Sequence, residues 1–223
     1  LKAHATANPG CSIHGSLPCT TLTTWQQVNV SRHGLSYSED LERRREKLRK
    51  MLRSFVEIAE IVLMGGGTVT FEWPRHCLGW TFRELLKFIL KWRMFVVDVD
   101  GCACGMKDPR SQIPYLKQWR FLTSEASVCQ SLQGLRCKHP SSFRHASIEG
   151  GNAEGTGYYP RLLCRNLLQA TFNGNLVVPA MPTVPVTDVS GHREKVSRDT
   201  VFGMYVGLGE SQDDMPPPLL EDD

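Results

Sequence analysis

The sequence predicts an α/β protein of three layers, built on a mainly parallel sheet that ends in an antiparallel hairpin. Two observations predict it. Apolar residues recur at helical spacing in long runs, and short β-rich runs bracket them, giving the order strand, helix, strand, helix, strand, strand. Strands that alternate with helices of this length are joined by right-handed crossovers, which set them parallel. With 223 residues, 41% of them hydrophobic and 22% charged, the chain has material for one core. That composition excludes collagen-like, coiled-coil and wholly disordered classes.

Residues 11–17 form the first strand, a short and partly apolar run stopped by Pro18-Cys19. Ser36 and Glu39 have the spacing of a capping box, and Leu41, Leu48, Leu52, Phe55, Ala59 and Val62 continue at helical intervals until Gly65-Gly66-Gly67 ends the run. A second strand over 68–71 halts at Trp73-Pro74, and a second helix over 81–93 turns Phe82, Leu85, Leu86, Ile89 and Leu90 inward. Residues 94–99 form the third strand. The last strand, 119–123, follows a polar loop and pairs back on the third as a hairpin. A short helix over 125–132, an irregular Cys/His loop and a helix over 160–171 complete a domain of residues 1–172. Residues 173–189 read as an extended, proline-containing segment, and 190–223 as an acidic, disordered tail.

The net charge of +3 conceals a division: residues 173–223 carry three basic and nine acidic groups, leaving 23 basic and 14 acidic groups on the body. A basic body with an acidic tail suits a polyanion partner, DNA or RNA, without requiring one. No apolar run nears the ~20 residues that span a bilayer, so no membrane partner is expected. The opening residues show no signal-peptide pattern. The eight cysteines contain no CxxC pair, and a chain with a real core needs no disulfide framework. They read as thiols in an intracellular setting, cytoplasm or nucleus.

In open α/β sheets, ligands gather at the carboxyl ends of strands. There the sequence sets Cys19 after the first strand, Glu72, Trp73 and Pro74 after the second, and Cys102 and Cys104 after the third. A thiol beside a carboxyl is the pairing that covalent attack on an electron-poor ring requires: the thiolate adds, and the acid protonates or anchors a ring nitrogen. Cys19 and Glu72 are therefore the candidate catalytic pair, with Trp73, Pro74, Cys102 and Cys104 as the rim of the pocket. The competing reading makes Cys19 a small buried hydrophobe in a turn and Glu72 a cap or a partner of Arg75.

The order of a Pro-Cys turn, a Glu-containing turn with Pro, a Gly-Cys-x-x-Gly turn and then Lys117-Gln118-Trp119-Arg120 resembles the second half of cytosine-5 DNA methyltransferases. That resemblance implies a partial Rossmann-like methyltransferase fold, with Cys19 as nucleophile and Glu72 as the base-contacting acid. The Glu-Asn turn of that family is Glu72-Trp73 here, its Gln-x-Arg-x-Arg motif is absent near the third strand, and the half that holds S-adenosylmethionine has no counterpart. The resemblance thus implies no cofactor bound by this chain alone, and S-adenosylmethionine only if a missing N-terminal half is supplied. A closer resemblance covers residues 12–171. The strings SLPCTTxxxWQ, GGGxVxFEWPRxxxGW, VDVDGCACG and KQWRFLT, and a Cys/His segment before EG and YYP, resemble an uncharacterised domain of retrotransposon-type polyproteins in algal protist genomes. It implies a retroelement-derived, degenerate domain whose partners include the remainder of a polyprotein.

Cys129, Cys137, His139 and His145 supply four N/S donors within 17 residues, the inventory of a tetrahedral zinc site without its usual two-residue hooks. A packed loop is the competing reading. Arg43, Arg44, Arg45, Lys47, Arg49, Lys50 and Arg53 crowd one helix, where arginine forks would track a phosphate backbone without reading sequence. The competing reading there is a solvated face laced with Glu/Arg pairs. Three functions follow: a methyltransferase-like domain acting on a nucleic-acid base, a non-catalytic nucleic-acid or partner-binding scaffold, and a zinc-stabilised accessory domain.

Overall fold

The computed structural model describes residues 1–148 and 155–172. The expectations for 173–189 and 190–223 lie outside the described residues. Helix α1 (Lys2–Ala7) precedes strand β1 (Ile13–Ser16). Helix α2 (Trp25–Met64), β2 (Val69–Pro74), α3 (Arg83–Trp92), β3 (Phe95–Asp100), β4 (Gln118–Thr123), α4 (Ala126–Gln133) and α5 (Arg161–Thr171) follow. The sheet order is β1-β2-β4-β3. Among the described residues, no helix is long and apolar enough to cross a membrane.

The mainly parallel sheet is a point of correction. Only β1 and β2 pair in parallel, across the α2 crossover, with Ile13 opposite Val69 and Ser16 opposite Glu72. Strand β4 runs antiparallel to β2 and to β3, so β1, β2 and β3 point one way and β4 wedges between the last two. The expected β3/β4 antiparallel pair is present, but it does not lie at one end of a parallel array. Burial gives the physical reason. Strand β4 sends Trp119 and Phe121 to one face and Leu122 to the other, all buried, and a strand covered on both faces belongs in the middle. Strand β3 leaves Phe95 and Val96 partly in solvent and takes an edge.

The three layers are as expected. On one face α2 and α3 bury Leu52, Phe55, Leu85 and Phe88 against Phe71 and Trp73 of β2. On the other, α4 and α5 bury Val128, Leu132 and Leu163 against Val99, Trp119 and Phe121. Each such side chain removed from water contributes about 1.5–3 kcal/mol before conformational entropy is counted.

Helix α2 begins earlier than the capping-box spacing indicates. Helical residues start at Trp25, and the break falls at Gly34, whose φ of 73° and ψ of −156° interrupt the helix two residues before Ser36. A left-handed φ suits glycine, which has no Cβ to clash. At the other end Gly67 brings its Cα against the Cys11 carbonyl so closely that any Cβ would overlap that oxygen. This contact seats β1 beside β2. All eight cysteines are free thiols.

Candidate metal centre

Strand β3 runs into a tight 3-10 turn, Gly101–Cys104, closed by Gly105 at a left-handed φ of 83°. That turn presents Cys102 toward the loop that follows α4. The loop carries Cys137, His139 and His145, and the donor atoms of all four residues lie within 4.8 Å of one another. His139 Nδ1 is 3.3 Å from Cys137 Sγ, His145 Nε2 is 3.5 Å from the same sulfur, and the two nitrogens are 3.2 Å apart. Zinc bonds of about 2.3 Å to sulfur and 2.0–2.1 Å to nitrogen give tetrahedral edges of roughly 3.5 Å for S···N and 3.3 Å for N···N. The observed spacings match those edges.

The loop supports the donors. Phe143 stacks on His139 with ring centroids 4.2 Å apart and planes 14° apart, and it meets His145 edge-on at 4.9 Å. Both imidazoles are thereby fixed by one apolar side chain. Burial, and then the hydrogen bond and charge of Cys137, push the Cys102 thiol up to about 12. Ionising Cys102 at neutral pH therefore calls for a cation, because a bound metal stabilises the thiolate that burial disfavours.

Behind the donors stands a charged frame. Asp98 receives a two-pronged bond from Arg120, at 2.8 and 3.2 Å, and pairs with Arg75 at 3.1 Å. Asp100 accepts from Gln118, from Arg136 and from the Cys137 backbone N–H. Burial opposes the charge on both carboxylates, yet the arginines and hydrogen bonds prevail and hold both below the ordinary aspartate value.

The donor set differs from the sequence-derived one at one position. Cys129 lies on α4, packs against the second core and stands outside the cluster. Cys102, expected on the rim of a base pocket, takes its place. Cys104, the other rim cysteine, is buried in the second core, where burial pushes its thiol up to about 11. The missed signal was the turn itself: a 3-10 turn fixes alternate cysteines on opposite sides, one to the core and one to the loop.

The two residues of the expected catalytic pair have different neighbours. Cys19 packs against the α2/α3 core. Glu72, 4% exposed, lies on the α4/α5 side, where Ser16 donates to its carboxylate at 3.0 Å and Tyr159 at 2.6 Å. Burial raises the Glu72 carboxyl above its ordinary value, more than those two bonds lower it. His14 joins this network through Thr70 at 2.7 Å and Tyr159 at 3.3 Å. Trp73, expected at the rim, is wholly buried and donates its indole N–H to the Leu17 carbonyl at 2.7 Å. Pro74 is the last residue of β2 and pairs with Trp119.

The basic helix is largely neutralised by its own acids. Arg43 and Arg44 pair with Asp40, Arg45 with Glu42, Arg49 with Glu46, and Arg53 with Glu46 and Glu84. Lys47 and Lys50 are exposed. Exposed pairs of this kind contribute about 0.2–1 kcal/mol each.

No protein-family model, curated protein or solved structure matches the chain.

Proposed function

We propose that this chain is a zinc-stapled α/β scaffold domain, in which the metal fastens the loop after α4 to the turn after β3. The observation that supports it is the convergence of Cys102, Cys137, His139 and His145, whose donor atoms lie within 4.8 Å of one another, the last three at the edge lengths of a zinc tetrahedron. Two thiolates and two imidazoles are the donors that select zinc over harder cations. Four protein donors fill a tetrahedron and leave no open position for substrate, which is the pattern of a structural rather than a catalytic centre. Glu72 is buried and held by Ser16 and Tyr159, which favours this reading over a methyltransferase-like one, for which a base would have to reach that carboxyl. The retroelement resemblance rests on its motif strings, and nothing in the geometry supports S-adenosylmethionine.

The test is elemental analysis with cobalt substitution. We expect about one zinc per chain in the purified protein, and Co²⁺ to give thiolate charge-transfer and tetrahedral d–d absorption. Protein that is folded without metal and spectrally silent with Co²⁺ would overturn the proposal.

Exposed Lys47 and Lys50 support a second reading in which the scaffold meets a polyanion. Arginines already paired to acids gain less from phosphate than free cations do. Lys47→Ala with Lys50→Ala is therefore expected to weaken binding to a mixed-sequence RNA or DNA and to lower its salt slope by about 1–2. An unchanged slope would remove helix α2 as the contact surface.

A further inference from the structure

We propose that Asp100 is the positioning carboxylate of the metal centre, holding the two halves of the donor set in register before metal arrives. The inference rests on the metal reading above. The two halves come from distant parts of the chain: Cys102 follows β3, and the other three donors follow α4. Asp100, 2% exposed, is bonded to the second half and adjoins the first. It lies two residues before Cys102, and the intervening Gly101 N–H is tied to the Lys117 carbonyl at 2.6 Å. Its Oδ2 accepts from the Cys137 N–H at 2.8 Å and from Arg136 Nε at 2.9 Å, its Oδ1 accepts from Gln118 Nε2 at 3.0 Å, and its own N–H donates to the Leu135 carbonyl at 2.8 Å.

The charges balance in this arrangement. Two thiolates offset a divalent cation, and Arg136 offsets Asp100, so the carboxylate adds no net repulsion to the donor pocket. Groups behind a ligand shell act by orienting the ligands, and their loss typically lowers metal affinity by about 10–100-fold. A carboxylate that merely filled its own hydrogen bonds would instead affect metal-free and metal-bound protein alike.

Three variants of the full chain separate these roles, with Co²⁺ affinity measured by chelator competition and the Co²⁺ spectrum as a second readout. Asp100→Ala is expected to bind Co²⁺ about 10–100-fold more weakly than the parent, with a shifted d–d band. Asp100→Asn keeps one oxygen for the Cys137 N–H, and a turned Gln118 amide accepts from the new NH₂, so affinity should return to within about threefold of the parent. Asp100→Glu keeps the charge but moves the oxygens outward by a methylene. It should lose at least about fivefold, and it decides the matter if Asp100→Ala does not fold. Parental affinity in Asp100→Ala or in Asp100→Glu would overturn the proposal, and so would an Asp100→Asn loss as deep as that of Asp100→Ala. Failure of the parent itself to bind Co²⁺ would instead overturn the metal reading on which the proposal rests.

Discussion

Cys102→Ser is expected to abolish the zinc-dependent part of this protein's thermal stability, whereas Cys129→Ser leaves that part intact. A ligand that binds only the folded state stabilises it by RT ln(1 + [L]/Kd), about 4 kcal/mol when free metal exceeds Kd a thousandfold. For a body of this size that is roughly ten degrees of melting temperature. The parent should show this difference between zinc-saturated and chelator-treated samples in calorimetry, and Cys102→Ser should not. Cys129 packs against the second core from α4, so its replacement should lower both melting temperatures together by a small amount, at about 1 kcal/mol. The comparison discriminates between the donor set that spacing suggests and the one the turn after β3 creates. If Cys129→Ser lost the zinc response and Cys102→Ser kept it, the centre described above would be wrong.

His14 should make the protein acid-labile in a defined window. Burial lowers its imidazole from 6.5 to about 4, so the folded state resists a proton that the unfolded chain accepts. Stability from the neutral ring is complete above pH 6.5, is lost as pH falls toward 4, and changes no further below that, for a total of about 3 kcal/mol. Glu72 acts in the opposite sense. Its raised carboxyl takes up a proton more readily in the folded state, so acidification through its range adds stability and partly offsets the loss. The carboxylates Asp98 and Asp100, held below their ordinary value, lose their contribution only at lower pH. In urea unfolding the parent should therefore lose about 3 kcal/mol relative to His14→Gln between pH 7 and pH 4. Equal pH slopes in the two proteins would show that His14 carries no such shift.

The helices were the most legible part of the fold. Leu41, Leu48, Leu52, Phe55, Ala59 and Val62 recur at helical intervals, and α2 buries those positions. The strands were legible as strands, and the β1–α2–β2 unit as a parallel pair. The place of β4 was not, because a run such as Gln118–Thr123 reads alike at an edge or in the middle. Its central position follows from which faces Trp119, Phe121 and Leu122 find covered. Helix α1 and the first turns of α2, before Gly34, carry little apolar periodicity and left no clear sequence signal.

The candidate site was legible in part for a similar reason. Cys137, His139 and His145 lie within nine residues, and proximity in sequence was enough to group them. Cys102 lies far upstream, and the nearer Cys129 competed for its place on spacing alone. By itself the sequence determined the element types, the two buried faces, and three of the four donors, because these depend on local periodicity and short separations. The tertiary structure alone decided the strand order, the burial of Glu72 beneath Ser16 and Tyr159, and the fourth donor. Each of those depends on which distant surfaces pack together, and pairing over long separations is set by the burial of whole faces rather than by any local run of residues.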